Sequence, residues 1–218
     1  MNQTKQSRSI AFYNTHAESF FHDTVTVNLT PLYQAFLPLL PEQGSILDAG
    51  CGSGRDSKFF LEQGFKVSAF DASSELVKKA SELLGVHGIS GISGISGISD
   101  VSDVSVQENT FEHYQSNKTF DGIWACASLL HVPSAQLKAS FINLASLLKD
   151  NGIFYCSFKH GDDDIERNGR YFTNATEPRL KSFIKNTDLA IKRTWLTADA
   201  RPDRKNEQWL NAILIKTV

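Results

Sequence analysis

The chain has 218 residues, 41% of them hydrophobic, with 22 basic and 24 acidic side chains and a net charge of −2. That length suits one α/β domain with a substantial core, and scattered, balanced charge gives no electrostatic footprint for nucleic acid. No apolar run approaches the roughly 20 residues of a membrane span, residues 1–8 lack the apolar centre of a signal peptide, and Cys51, Cys126 and Cys156 have no metal-ligand spacing, so a metal-free protein in a reducing cytoplasm is expected.

Residues 1–9 are polar and are expected to fray. Two helical patterns follow, over 12–21 and 27–40. In the second, Leu29, Leu32, Phe36, Leu39 and Leu40 recur at three- and four-residue spacing. Pro38 bends or ends it, and 41–44 turn the chain into the first strand. Residues 1–44 thus read as a helical cap or lid ahead of a domain over 45–218. In that domain 45–48 is a strand, 55–63 a helix ended by Gly64, 66–71 a strand and 74–84 a helix ended by Gly85. A third strand closes before Asn109. Residues 120–126 make the fourth strand, 134–148 a helix, 149–152 a turn and 153–158 the fifth strand. A helix over 177–186 precedes a terminal strand pair, 189–197 and 209–217. Strands alternating with helices across short turns predict a parallel sheet covered on both faces.

Residues 88–105 break the pattern. Gly-Ile-Ser repeats four times and two Asp-Val-Ser triplets follow. Period three matches neither strand nor helix. We read the stretch as a triplet expansion in the loop before the third strand, because added loop length costs only about 0.6 kcal/mol per doubling. The competing reading is a binding loop that docks on a partner or a second copy through its isoleucines.

The stretch richest in chemistry is Asp48-Ala49-Gly50-Cys51-Gly52-Ser53-Gly54, directly after the first apolar run. Glycine tolerates positive φ and lets backbone approach a ligand closely, and a turn of this kind between strand and helix is where doubly wound sheets bind nucleotides. Arg55 follows Gly54, so the spacing is G-x-G-x-G rather than the dinucleotide fingerprint. A carboxylate at Asp48 repels phosphate and attracts an ammonium group. Asp71 closes the second strand about where a ribose-binding acid is expected. Its bland role is to N-cap the next helix, a task Ser73 or Ser74 can perform instead. A nucleoside carrying an ammonium arm is S-adenosylmethionine.

The run from Ile46 to Phe70-Asp71-Ala72-Ser73 resembles the class I S-adenosylmethionine-dependent methyltransferases. Gly54-Arg55-Asp56-Ser57 and the run Phe120-Asp121-Gly122-Ile123-Trp124 through His131-Val132-Pro133 resemble a bacterial subgroup related to the tellurite-resistance methyltransferases. The resemblance implies a Rossmann-like fold, with a seven-stranded, mostly parallel sheet, an antiparallel last strand and helices on both faces. It also implies S-adenosylmethionine as methyl donor and S-adenosylhomocysteine as product.

Ligands of such sheets sit at the carboxyl ends of the strands. The expected lining is Asp48, Gly50, Gly52 and Gly54 after the first strand, and Asp71 and Ala72 after the second. By resemblance Asn109, Thr110 and Phe111 surround the adenine. The Ala125 carbonyl faces the ammonium or sulfonium. A cation is disfavoured at a helix N-terminus, so Arg55 is expected to pair with the methionine carboxylate rather than stand solvated. Tyr13 either lids the cofactor, as in relatives, or simply packs. His131 is the best candidate base, against two structural roles: bonding a backbone carbonyl, or contacting the cofactor carboxylate. His16, Lys159, His160, Arg170, Tyr171, Trp195 and Trp209 are candidates for an acceptor pocket, and Lys159, His160 and Arg170 together would suit an anionic acceptor. The Asn/Asp-Pro-Pro-aromatic motif of base methylation is missing after Ile123-Trp124, which argues against a nucleic-acid substrate. The expectation is a small-molecule methyltransferase, monomeric or homodimeric, without a membrane partner. The alternatives are action on a protein or RNA with a partner, and a non-catalytic S-adenosylmethionine-binding module.

Overall fold

The structure, a computed structural model, describes residues 4–86, 104–201, 204 and 206–217. Three helices open the chain: α1 (Lys5–Thr15), α2 (Ala17–Thr24) and α3 (Thr30–Phe36), the last continued by a 3-10 turn over Leu37–Leu39. Then come β1 (Ser45–Ala49), α4 (Arg55–Glu62), β2 (Lys66–Asp71), α5 (Ser74–Leu84), β3 (Val104–Glu108), β4 (Phe120–Ala125), α6 (Ser134–Ser146) and β5 (Leu148–Lys159). A hairpin of β6 (Asp164–Arg167) and β7 (Arg170–Thr173) leads to α7 (Glu177–Phe183), β8 (Leu189–Ala198) and β9 (Gln208–Lys216).

The sheet order is β3-β2-β1-β4-β5-β9-β8. The first five strands are mutually parallel, and β9 is antiparallel to both β5 and β8. Only β9 therefore runs against the other six. The strand order reverses between β1 and β4, which leaves a crevice at their carboxyl ends where open α/β sheets take ligands.

Alternation along each strand sends successive side chains to opposite layers. Ile46, Val67, Trp124 and Tyr155 face α3 and α4, with Phe36 and Phe60 packed among them. Leu47, Phe70, Ile123 and Phe154 face the other way, where Phe141 of α6 and Leu180 of α7 close the core. The α3 end of the N-terminal segment is a full member of its layer. Phe36 is fully buried, and a Cβ at Gly122 of β4 would lie 2.7 Å from the Phe36 ring. The glycine is what lets that ring sit on the strand.

Several boundaries differ from the sequence reading. The helix expected over 12–21 is part of two helices that meet at His16, whose φ of −114° and ψ of 20° are not helical. The turn expected at 149–152 belongs to β5. There Asn151 takes a positive φ of 60°, which asparagine tolerates, and the ladder shifts register between Phe120 and Gly122. The helix expected to reach 186 stops at Phe183. The triplet repeat lies outside the described residues apart from its last two positions, Val104 and Ser105, which begin β3.

Candidate cofactor and acceptor site

The turn after β1 is built on glycine for steric reasons. Gly50 and Gly52 have φ of +76° and +56°, and a Cβ at Gly50 would lie 2.5 Å from Cβ of Ser128. The turn is hung from the end of β2. Gly50 and Cys51 both donate to the Phe70 carbonyl at 2.9 Å, and Gly52 N donates to Asp71 Oδ2 at 2.9 Å. The other Asp71 oxygen accepts from Ser73 N at 2.8 Å. Ser73 itself caps α5, accepting from Leu76 N at 3.2 Å. The capping role thus falls to Ser73, and Asp71 is left as a partly buried acceptor at the cavity wall. Burial raises its pKa, and the backbone donors oppose that rise.

A cavity of ≈ 330 Å³ opens over this turn, at the small end of the range for small-molecule sites. Its wall includes Gly50, Gly52, Arg55, Asp71, Ala72, Phe111, Tyr13 and His131 from the expected set. Asp48, Gly54, Asn109, Thr110 and Ala125 are not part of the wall. The pleat explains Asp48. It lies two residues beyond Ile46 and faces the α3–α4 layer, where it is 2% exposed and accepts from Ser57 Oγ at 2.6 Å. Burial, then the nearby Asp56 charge, pushes it up to about 8, so it is a poor partner for an ammonium group. Gly54 packs instead against Ala80 of α5. Asn109 Oδ1 is taken by Thr110 N at 2.9 Å, and the Thr110 hydroxyl pairs with His113 at 2.8 Å. Ala125 is fully buried, and the next three residues, 126–128, reach the cavity in its place.

Arg55 lines the cavity and is ion-paired within the chain. Its anionic partner is its neighbour Asp56, held by Nε at 2.6 Å and Nη2 at 3.0 Å. Asp56 further accepts from Tyr33 OH and Trp124 Nε1, both at 2.7 Å. Burial alone would raise the Asp56 pKa, but Arg55 and the hydroxyl and indole donors outweigh it and hold it low. One carboxylate thus ties α3, α4 and β4 together under the glycine turn. Sequence reasoning missed this role, since neither tyrosine nor tryptophan is near Asp56 along the chain.

Above the turn, Tyr13 and Phe20 meet edge to face at 5.2 Å, and Phe20 reaches within 3.2 Å of where a Gly52 Cβ would be. His131 joins this roof to the hairpin. Its Nδ1 lies 2.8 Å from the Tyr171 carbonyl, and its Nε2 lies 2.8 Å from Tyr13 OH. A carbonyl only accepts, so the proton is assigned to Nδ1, and Nε2 accepts from the phenol. Burial first, then the Arg170 and Lys159 charges, lowers the His131 pKa to about 4, which keeps it neutral near pH 7. The Tyr13 phenol is raised by burial.

The remaining wall comes from the strands beyond β4 and from the hairpin. Lys159, Arg170, Phe172, Trp209 and Asn211 all contribute. Lys159 is ion-paired with Glu207 and lies over the rings of Phe172 and Trp209. His160 and Trp195 do not line the cavity, and neither do Tyr171 and His16. Phe20, Ser128 and Phe172 are wall residues that no sequence signal marked; each arrives through tertiary packing. Among the described residues no group of His, Cys, Asp and Glu is arranged to hold a metal, and no helix is long and apolar enough to cross a membrane.

A doubly wound sheet with a glycine turn, an acid at the tip of the second strand and a cavity at the switch point defines a Rossmann-like protein built to hold a nucleoside-bearing ligand. The family model for a methyltransferase domain matches residues 21–196, and the chain belongs to that family. In sequence it is 29% identical over 108 residues to the ubiquinone biosynthesis O-methyltransferase of Rickettsia canadensis, covering 50% of this chain and 39% of that protein. The chain thus matches only about two-fifths of that relative's length. In structure it is similar to the 1,6-didemethyltoxoflavin-N1-methyltransferase of Burkholderia thailandensis, solved with 1,6-didemethyltoxoflavin and S-adenosylhomocysteine, at a TM-score of 0.75 and 20% identity over 98% of this chain and 87% of that one. It is also similar to the magnesium protoporphyrin IX methyltransferase of Synechocystis PCC 6803, solved with S-adenosylmethionine, at a TM-score of 0.71 and 16% identity over 99% of each chain.

Proposed function

We propose that this protein transfers the methyl group of S-adenosylmethionine to a small-molecule acceptor. The observation that carries the reading is the Asp71 carboxylate, anchored at 2.9 Å to Gly52 N in the wall of a cavity roofed by Tyr13 and Phe20. The backbone N–H groups of Gly52, Ser73 and Ala72 face the Asp71 carboxylate, which keeps acceptor capacity toward the cavity for a ribose hydroxyl. Ala72, Leu76 and Phe111 supply apolar wall for a base. Bound there, S-adenosylmethionine supplies a methyl carbon already activated on a sulfonium. Family membership and the cofactors in the two structural relatives support the same reading.

The chain's contribution is to align and to exclude water. With the cofactor held at Asp71 and the glycine turn, an acceptor heteroatom beside Tyr13 would be placed to take the methyl carbon, the carbon–sulfur electron pair remaining on sulfur. Where the acceptor carries a proton, the route out is indirect, because Tyr13 occupies His131 Nε2. Tyr13 takes the acceptor's proton as it passes its own to Nε2, and His131 later releases that proton to solvent. A His131→Asn variant is expected to lose about 10²-fold or more in kcat while S-adenosylmethionine affinity stays within about twofold. Unchanged turnover would return His131 to a purely structural link between roof and hairpin.

Calorimetry with S-adenosylmethionine tests the cofactor reading. Binding is expected and should weaken by at least about tenfold in Asp71→Ala; absence of binding, or indifference to the substitution, overturns it. Radiolabelled methyl transfer then sorts the acceptor. Label entering only a macromolecular fraction would contradict the small-molecule proposal, which rests on a cavity of ≈ 330 Å³ with a largely apolar wall. The likeness to tellurite-resistance relatives rests on the runs at 54–57 and 120–133 alone, and tellurite belongs in the acceptor screen on that ground. A reducing cytoplasm fits the three free thiols.

A further inference from the structure

Several cations line the cavity, and their partners differ. Arg55 is closed by Asp56, Lys159 by Glu207 and Arg201 by Asp199 at 2.6 Å. Arg170 has no carboxylate partner among the described residues. It is held by aromatic faces, with its guanidinium carbon 4.6 Å from the Phe12 centroid, 5.2 Å from Phe172 and 5.8 Å from Tyr13. Its Nη1 donates to Tyr13 OH at a long 3.4 Å. Its Nε is buried with no hydrogen-bond partner. An unpaired donor on a charged, partly buried group is costly. In the same protein Arg55 uses its Nε–Nη2 edge to grip a carboxylate side-on, the pairing for which a guanidinium is built.

We propose that Arg170 is the docking point for a carboxylate on the methyl acceptor, and that the acceptor is otherwise an apolar small molecule. This rests on the reading of the cavity as a methyltransferase site. The apolar body follows from the rings of Tyr13 and Phe172 against Arg170 and from Ile10 and Trp209 in the same cavity wall. The cofactor's own carboxylate is the competing occupant, and topology argues against it. Arg170 is on β7, whose hairpin is separate from the main sheet and packs against α1, the 129–131 turn and β5, whereas Asp71 ends β2 on the other side of β1 from β4 and β5. Its charge acts on Tyr13 and His131; Tyr13 also feels Asp71 and so stands between the two, while the Asp71 carboxyl itself answers to burial and backbone donors. A carboxylate on Arg170 would place the rest of the acceptor beside Tyr13 OH, where the proton route begins.

The test is a panel of matched pairs: benzoate, 4-hydroxybenzoate and quinoline-2-carboxylate, each against its carboxamide. Binding is measured by calorimetry and ligand-observed NMR on the full chain, with and without saturating S-adenosylhomocysteine. At least one acid is expected to bind about tenfold or more tightly than its amide. That preference should vanish in Arg170→Gln and persist in part in Arg170→Lys, with S-adenosylhomocysteine affinity within about twofold of wild type. The proposal fails if no acid binds, if acids and amides bind alike, or if the preference survives in Arg170→Gln. It also fails if that variant loses more than about tenfold in S-adenosylhomocysteine affinity, which would assign the guanidinium to the cofactor. The wild-type comparison stands even if Arg170→Gln folds poorly. A protein that ignores S-adenosylhomocysteine yet prefers the acids would sink the cofactor reading, and with it the acceptor role, while leaving Arg170 as a carboxylate site.

Discussion

Asp48 and Asp71 lie at or next to the carboxyl ends of adjacent parallel strands, yet their environments give them opposite jobs. Asp71 meets three backbone N–H groups and the cavity. Asp48 meets Ser57 and the field of Asp56 inside a packed layer. The pH consequence of Asp48 has a definite sign. Its folded pKa, about 8, exceeds the unfolded carboxylate value, so the folded state binds the extra proton across the interval between them. Stability contributed by this group is full below about pH 4 and is lost as pH rises toward 8. Replacing Asp48 by Asn removes that dependence, so the gain in melting temperature of Asp48→Asn over wild type should grow from pH 5 to pH 8. A gap that stays flat or narrows would show that Asp48 is ionised when folded.

Among the elements, α3 and the β6–β7 hairpin matter most to the site, and neither contains a motif. Helix α3 delivers Tyr33 to Asp56 and Phe36 to Gly122, so it braces the floor beneath the glycine turn. Truncating Phe36 to Ala should cost about 3–5 kcal/mol, read as a shifted urea midpoint. A cost under about 1 kcal/mol would mean that α3 is a detachable cap. The hairpin is tied to the body by Arg179 bonding Asp164 at 2.5 Å and by Tyr171 accepting His131 Nδ1. It carries Arg170 and Phe172 into the cavity. Helix propensity and strand alternation located β1, β2, β4 and the 153–158 part of β5 well, because each is a short apolar run between glycine or polar turns. The same signals overran at the helix ends and could not place the 149–152 segment, whose strand pairing depends on β4 rather than on its own residues.

At the scale of the whole molecule, ligand binding should read out as stability. Saturation at 100 times Kd adds about 2.7 kcal/mol to a folded state that alone binds the ligand, which for a domain of this size raises the melting temperature by about 5–10 °C. S-adenosylhomocysteine is expected to give such a shift, and Asp71→Ala to shrink it. No shift at saturating ligand would contradict the cofactor assignment independently of turnover. The cavity wall takes residues from segments as far apart as Gln6 and Asn211, so local damage far along the sequence should weaken the same shift.

The sequence by itself determined the doubly wound sheet, the glycine turn and the acid at the end of β2, because these follow from local periodicity and from the few residues that tolerate positive φ. Gly50, Gly52, Asp71 and Ala72 were legible as wall residues for that reason, whereas Phe111 was implied by resemblance alone. Only the tertiary structure decided what the neighbouring charges do. Asp48 turned inward by the pleat, Arg55 closed on Asp56, and Arg170 was left with an unpaired nitrogen among aromatic rings. Those outcomes depend on which side chains three-dimensional packing brings within hydrogen-bond reach, and residues as far apart as Tyr13, His131 and Arg170 meet only when the sheet is complete.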